Sequence, residues 1–463
     1  MKKKLIIFWN RSDSRLLDNP ALYYACKRAE ELGCQMTTLF ILDPEFYKNP
    51  TCSRRMNFLV KILRDLNKVI KLSIIEGDPI EVIKELLKIY ELEIFANADF
   101  EPFAKSRDKR ILELTSNNDF AFNLLNDKIS IDKSQISKSN TIYSVFTPFK
   151  KAVIEDFLNA KTLQKPNLEK IDQIRVFPEF NFDSFVKKIP KLSINILGFK
   201  YDLEKQDQEL VYDWYTNEEK VLNEFKGFLV KGYDTYSNDR NTLTVRNSMM
   251  SVALKWGLVS SRTLKEMILT RDLNPLESSY VSELIWREFY KYVLYNHQQV
   301  LDTEFLLKYR NKESLWFSQD KQKEYFLAWI EGRTGYSIVD AGIHQLRQEG
   351  YMHNRSRMIV SSILTKNLGC NWRLGQEYFR AMLLDLDEAS NNGGWQWSSS
   401  VGVDPKPLRI FNPHIQQEKF DPDNIYHKKY LPDNYNLTPI IEHTLARDFA
   451  ITRYKTSSAV DNI

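Results

Sequence analysis

The chain has 463 residues, of which 43% are hydrophobic and 27% charged, with a net charge of +4. That length exceeds one ordinary core, so two domains are expected, and the composition excludes a disordered or fibrous chain. The small net charge sets up no overall field for nucleic acid, although it is compatible with a local basic groove, and no apolar run approaches membrane-spanning length.

The first apolar run, residues 4–9, ends at Asn10-Arg11, so it reads as a β-strand rather than a signal peptide. A polar loop closes on Asp18-Asn19-Pro20, and a helical pattern follows over 21–32 and stops at Gly33. The β-rich stretch 36–42 ends at Asp43-Pro44. The cycle then repeats, with helices predicted over 53–67, 79–90 and 105–116 and strands over 69–75, 92–96 and 120–125. Alternation of short strands and helices predicts an α/β N-terminal domain with a parallel sheet, Rossmann-like, over 1–135.

Residues 136–205 mix Lys, Pro, Asn and isolated aromatics without a sustained period, and are expected to be an interdomain connector. From 206 to 463 the periods are helical: 209–233, 248–258, 261–271, 280–296, 322–330, 338–349, 355–368 and 372–386. The second half is therefore expected to be an all-α C-terminal domain.

The four cysteines, Cys26, Cys34, Cys52 and Cys370, lack CxxC or His-linked spacing. They read as reduced thiols of a cytoplasmic protein, not as a metal site or disulfide frame. Aromatic residues reach 13%, including 9 Trp, which suits a large core, a stacked cofactor or base-stacking surfaces.

The densest chemistry lies between Tyr351 and Pro413. In DLDEASNNGGWQW, Asp385 and Asp387 precede two amides, Asn391 and Asn392, then Gly393-Gly394 and two indoles, Trp395 and Trp397. A Gly pair ends a helix or lets the backbone pack closely against something flat. With Arg357 as counter-ion, this string favours a binding site over a plain helix end with two core Trp. In YMHNRSRM, helical spacing puts Asn354, Arg357 and Met358 on one face; alone, a solvated basic face explains it better. In SELIWREFY, Glu283 shares a face with Trp286 and Arg287, which an ordinary amphipathic helix would also produce.

Together with RLLDNPAL (15–22), YSVFTPFKK (143–151), GRTGYSIVDA (332–341) and RIFNP (409–413), these strings resemble the photolyase/cryptochrome flavoproteins over nearly the whole chain. Among them the chain is most similar to the microbial cyclobutane-dimer photolyases. The resemblance implies an antenna domain followed by a helical FAD domain. It also implies a carbon–carbon lyase that uses light and reduced FAD to split a pyrimidine dimer flipped out of double-stranded DNA. A second chromophore is implied too, a folate, deazaflavin or flavin that the sequence does not choose among. No metal, membrane or obligate protein partner is implied, and a monomer is expected.

By the same resemblance, Asn391 faces flavin N5, Arg357 and Asp385 form an ion pair beside the ring, and Asp387 touches the ring or ribityl edge. A cation there favours the reduced anionic ring. Arg287 serves the phosphates, where its fork geometry suits oxygen pairs. Tyr236, Ser248, Ser251, Tyr280, Asn354 and Leu386 complete the cofactor set. Trp286 and Trp397 are expected to pack the flipped dimer and Glu283 to bond the thymine edge, with Asn354, Arg355 and Met358 lining the same pocket. Arg240, Arg409 and Gln416 meet the DNA backbone. Trp395, Trp372 and Trp316 match the tryptophan chain that carries electrons to the flavin.

The chain also departs from the family pattern. The phosphate segment, usually Thr-Ser-Arg/Lys-Leu-Ser, reads Asn247-Ser248-Met249-Met250-Ser251, with Met249 at the basic position and Arg246 a candidate substitute. Backbone N–H groups at a helix start still suit phosphate. Tyr233 competes with Tyr236 for the preceding Tyr, Tyr351 stands where Trp is common, and Val401 and Val403 replace Thr. Three alternatives share part of this pattern. A cryptochrome-type photoreceptor is disfavoured by Asn391 and the two pocket Trp, and a (6-4) photolyase by the lack of adjacent His near Met352-His353-Asn354. A degenerate DNA-binding member without flavin has only the altered phosphate segment in its favour.

Overall fold

The computed structural model describes residues 2–116, 118–127, 141–205, 207, 209–271, 274–403 and 408–459. Five strands, β1 (Lys3–Trp9), β2 (Gln35–Leu42), β3 (Leu72–Glu76), β4 (Tyr90–Ala98) and β5 (Ala121–Asn126), form a sheet in the order β3-β2-β1-β4-β5. All neighbouring pairs are parallel. Leu5, Ile6, Ile7 and Phe8 of β1 are all buried, as a strand covered by helices on both faces requires. The helix Pro20–Leu32 starts where Asn19 accepts the Leu22 N–H and Pro20 removes a donor that would have no partner. It ends on Gly33 in the left-handed conformation (φ 58°).

Strand order reverses between β1 and β4, where open α/β sheets offer a crevice at their C-terminal edge. There the guanidiniums of Arg11 and Arg107 lie 4.9 and 5.1 Å from the Trp9 ring, and both are paired with Asp108, at 2.5 and 3.0 Å.

The connector region holds more structure than its composition suggested. It contains the helix Phe146–Asn159, whose Phe149, Val153, Ile154 and Phe157 are buried, and an antiparallel hairpin of β6 (Ser193–Ile196) and β7 (Phe199–Asp202). Beyond it the chain is helical. The helix predicted over 209–233 begins only at Glu218, because Asn217 accepts the Lys220 N–H and caps it there, and it runs to Lys231. The pattern predicted over 355–368 is an α-helix, Asn354–Ser362, that continues as a π-helical turn, Ile363–Asn367.

Among the described residues no helix is long and apolar enough to cross a membrane. A buried ionic cluster ties the halves together: Asp127, just past β5, receives Arg15 at 2.6 Å and Arg262 at 2.7 Å, and Arg262 also donates to Asp18 at 2.9 Å.

Candidate active site

A cavity of about 510 Å³ opens inside the helical half. Its walls come mainly from four helices, Met250–Lys255, Ser279–Asn296, Asn354–Ser362 and Glu388–Ser398, and from the loop holding Asp385 and Leu386, with Tyr236 and Phe379 added from two others. This size is within the usual range for small-molecule and cofactor sites.

The cavity gathers Tyr236, Arg240, Ser248, Ser251, Tyr280, Glu283, Trp286 and Arg287 from the first half of the sequence-derived set. From the second half it gathers Asn354, Arg357, Met358, Asp385, Leu386, Asp387, Asn391, Trp395 and Trp397. Arg355, Arg409, Gln416, Trp372 and Trp316 are not on its wall. Arg355 donates to Asn241 at 2.7 Å and covers the Phe420 ring, and Arg409 lies 5.7 Å from the Trp397 ring. Gln416 is half-buried on the helix Pro413–Phe420.

Asp387 caps the Glu388–Ser398 helix by accepting the Ser390 N–H at 2.9 Å. Burial works against its charge, but Arg287 and Lys291 outweigh that effect and hold it below the usual carboxylate range. The helix runs through Gly393-Gly394 to Ser398, so the Gly pair is internal and does not end it. The close-approach reading holds at Gly393, where any Cβ would collide with the Tyr290 ring. At Gly394 a Cβ would meet nothing within 4 Å, because that face looks into the cavity. On the adjacent helix Trp372–Met382, a Cβ on Gly375 would collide with the Trp395 indole.

The polar atoms here are only partly satisfied. Asn391 Nδ2 donates to the Gln376 carbonyl at 3.2 Å, leaving its buried Oδ1 without a hydrogen-bond partner. Arg357 donates to Asp385 Oδ2 at 2.7 Å and to the Met352 carbonyl at 2.7 Å, while Asp385 Oδ1 is buried and unpartnered. Buried acceptors left open are costly. With the open face of Gly394 and the cations Arg287 and Lys255, they form a set of acceptors and cationic donors that fits a flat heterocycle bearing N–H groups and a phosphate chain.

Glu283 is paired with Arg240 at 2.7 Å, and burial, opposed by Arg240, raises its pKa. The phosphate segment keeps Ser248, bonded to the Tyr280 hydroxyl at 2.7 Å, and Ser251 on the wall. Met249 adopts φ 56°, a left-handed conformation unusual for a side chain of its type, and is buried in the core. Arg246 does not take over the basic position: it is exposed and covers the Tyr212 ring at 3.5 Å. Tyr236 lines the cavity, whereas the Tyr233 hydroxyl bonds Ser278 at 2.7 Å outside it.

Sequence reasoning missed Lys255, Tyr290, Ser361 and Phe379 on the wall. Lys255 follows Ser251 by four residues, Tyr290 follows Trp286 by four, and Ser361 follows Arg357 by four, so helical spacing could have found them. Lys255 lies 3.7 Å from Glu101, at the start of the sheet-domain helix Pro102–Thr115, and burial pushes Glu101 up to about 7. Trp372 is fully buried and donates to Glu304 at 3.1 Å, and Trp316 is half-buried.

Residues 280–456 match the family described as the FAD binding domain of DNA photolyase, and residues 6–168 match the DNA photolyase family. The deoxyribodipyrimidine photo-lyase of Buchnera aphidicola from Acyrthosiphon pisum is 34% identical over 458 residues, 94% of this chain and 89% of that protein. The chain belongs to the DNA photolyase family. Among solved photolyase structures, a bacterial class III photolyase from Agrobacterium tumefaciens superimposes with a TM-score of 0.85 at 26% identity, covering 99% of this chain and 98% of that one. An archaeal photolyase from Sulfolobus tokodaii, described with two FAD molecules, gives a TM-score of 0.80 at 27% identity, covering 98% and 100%. The photolyase FAD-binding domain thus contains most of the cavity wall, while Tyr236, Arg240, Ser248, Ser251 and Lys255 precede it.

Proposed function

We propose that this photolyase repairs cyclobutane pyrimidine dimers in double-stranded DNA, as a monomer in the cytoplasm. Its sheet domain (1–135) would hold an antenna chromophore of folate, deazaflavin or flavin class, the connector would span 136–205, and residues 206–463 would hold FAD and the lesion. The observation that carries this reading is that Trp286 and Trp397 share one cavity with the open acceptors of Asn391 and Asp385. When bound, FAD supplies the light-excited electron that opens the cyclobutane ring and takes it back.

The protein's own groups do the rest. The Gln376 carbonyl fixes the Asn391 amide, whose buried Oδ1 has no partner among the described residues and would accept from a ring N–H. Arg357, held by Asp385, puts positive charge beside the same place. Arg287, Ser248, Ser251 and Lys255 offer donors for the phosphates, and Met249, buried in the core, contributes no charge. Trp286 and Trp397 replace the stacking that a flipped base step loses in the duplex. Glu283 would bond the thymine edge once Arg240 turns to the DNA backbone; Arg355, Arg409 and Gln416 would meet the same backbone from beyond the cavity wall. Trp395, against Gly375, begins the electron route toward Trp372 and Trp316.

The test is repair of duplex oligonucleotides carrying either a thymine dimer or a (6-4) lesion, under blue light and in the dark. Light-dependent loss of the dimer alone is expected. Repair of the (6-4) lesion, or no repair of either, would overturn the assignment.

A further inference from the structure

The stretch YSVFTPFKK opens the Phe146–Asn159 helix, which lies along the Ser279–Asn296 helix. Aromatic residues recur every three positions on both sides: Tyr143, Phe146 and Phe149 on one, Trp286, Phe289 and Tyr292 on the other. They interleave. Phe149 lies 5.1 Å from Phe289 and 5.0 Å from Tyr292, and Phe146 meets Phe289 edge-on at 5.9 Å. The Tyr143 N–H donates to the Tyr292 hydroxyl at 3.4 Å, and Lys150 donates to Ser282 at 2.7 Å, pinning the helix at both ends of the seam.

Phe146 and Trp286 are different from the rest of the seam. Their rings are parallel, with planes 7° apart and centroids 3.7 Å apart. Aromatic pairs prefer offset or edge-on packing, so such a close overlap needs neighbours that hold it. Phe289, edge-on to both rings, is one of them. Trp286 lines the cavity and Phe146 does not. Phe146 therefore covers one face of the indole from outside the cavity, while the indole reaches the cavity wall beside Tyr290, 5.7 Å away.

We infer that Phe146 is a positioning residue for lesion recognition, holding the Trp286 indole in the plane against which the extruded pyrimidine pair packs. This rests on the reading of Trp286 as a wall of the lesion pocket. An indole already fixed in its bound orientation loses little freedom when the lesion arrives, so affinity for damaged DNA rises without a new contact. Neither the phosphates of intact duplex nor the flavin touches Phe146 on this reading. Its influence should therefore be confined to discrimination.

The experiment measures dark binding of dimer-containing and intact duplex to wild type, Phe146→Leu, Phe146→Tyr, Trp286→Ala and the Phe146→Leu/Trp286→Ala double variant. Flavin content and light-driven turnover at saturating DNA are read alongside. Phe146→Leu should weaken dimer binding by about three- to tenfold, the range that an aromatic pair contributes, while intact-duplex affinity, flavin content and saturated turnover stay unchanged. Phe146→Tyr should restore discrimination. In the Trp286→Ala background, Phe146→Leu should add no further loss, whereas a merely structural role would add its full effect.

Wild-type discrimination in Phe146→Leu together with impaired Trp286→Ala would overturn the positioning role alone. Wild-type discrimination in Trp286→Ala would overturn the pocket reading beneath it. Additive loss in the double variant, or equal loss on damaged and intact DNA, would reduce Phe146 to a packing residue.

Discussion

Two buried ionic clusters in this molecule use the same residue types to opposite ends. In the cluster of Arg15, Asp18, Asp127 and Arg262, each carboxylate is shared by donors at 2.5–2.9 Å: two guanidiniums on Asp127, and Arg262 with the Ser260 hydroxyl on Asp18. It joins the loop between β1 and the Pro20–Leu32 helix, the end of β5 and the helical half. In the cavity, Arg357 engages only one oxygen of Asp385, Arg287 stands 3.9 Å from Asp387, and the Asn391 carbonyl oxygen is unpaired. A satisfied cluster contributes rigidity; an unsatisfied one contributes a binding site, at a cost in stability that the ligand offsets.

Breaking each cluster separates the two roles. Asp127→Ala removes the carboxylate shared by two buried guanidiniums, leaving Arg262 with Asp18 and Arg15 with backbone carbonyls, and should lower stability by about 3–5 kcal/mol in chemical denaturation. Asp385→Asn should leave the melting curve of the flavin-free protein near wild type yet weaken flavin retention about tenfold, read by fluorescence of released flavin, because a charge-assisted bond is replaced by a neutral one. If Asp385→Asn destabilises the flavin-free protein as much as Asp127→Ala does, the contrast fails.

Within the cavity, Trp286→Ala removes one stacking wall. Preference for damaged over intact duplex should fall about ten- to hundredfold, the range that stacking on one base covers; equal preference in wild type and variant would remove Trp286 from the pocket. Trp395→Phe should slow light-driven reduction of oxidised flavin while repair by flavin already reduced continues, and photoreduction at the wild-type rate would refute that role.

The smallest effect concerns pH. His353 caps the Asn354–Ser362 helix by accepting the Arg355 N–H at 3.1 Å, which only the neutral ring can do. Burial, with Arg357 and Arg355 nearby, lowers its pKa to about 4. A depressed pKa stabilises the fold above the ordinary value near 6.5, and that contribution is lost as pH falls toward 4. His353→Asn keeps the cap and should flatten the fall in melting temperature over this interval. A residual slope is expected from His344, which burial also lowers to about 4.

Local pattern made much of this legible. Periodicity placed the β-strands and most helices to within a few residues, and motif strings named many of the residues that line the cavity, though not Lys255, Tyr290, Ser361 or Phe379. The Phe146–Asn159 helix was missed, although Phe149, Val153, Ile154 and Phe157 carry helical spacing, because one short period stood amid irregular sequence. The fate of Gly393-Gly394 was open because a Gly pair reads alike at a helix end and beneath an intruding ring; only the distant Tyr290 decides it. The Phe146–Trp286 stack joins residues far apart in sequence, and no local spacing announces it.

The central claim is that flavin and an extruded lesion share the cavity between Asn391 and Trp397. Its most direct test is the visible absorption spectrum of the purified flavoprotein in the dark, recorded as dimer-containing duplex is added. The account predicts bound flavin whose bands shift with the damaged duplex, stay unshifted with intact duplex and respond less in Trp286→Ala. A protein that binds no flavin, or flavin bands unmoved at saturating damaged duplex, would contradict it.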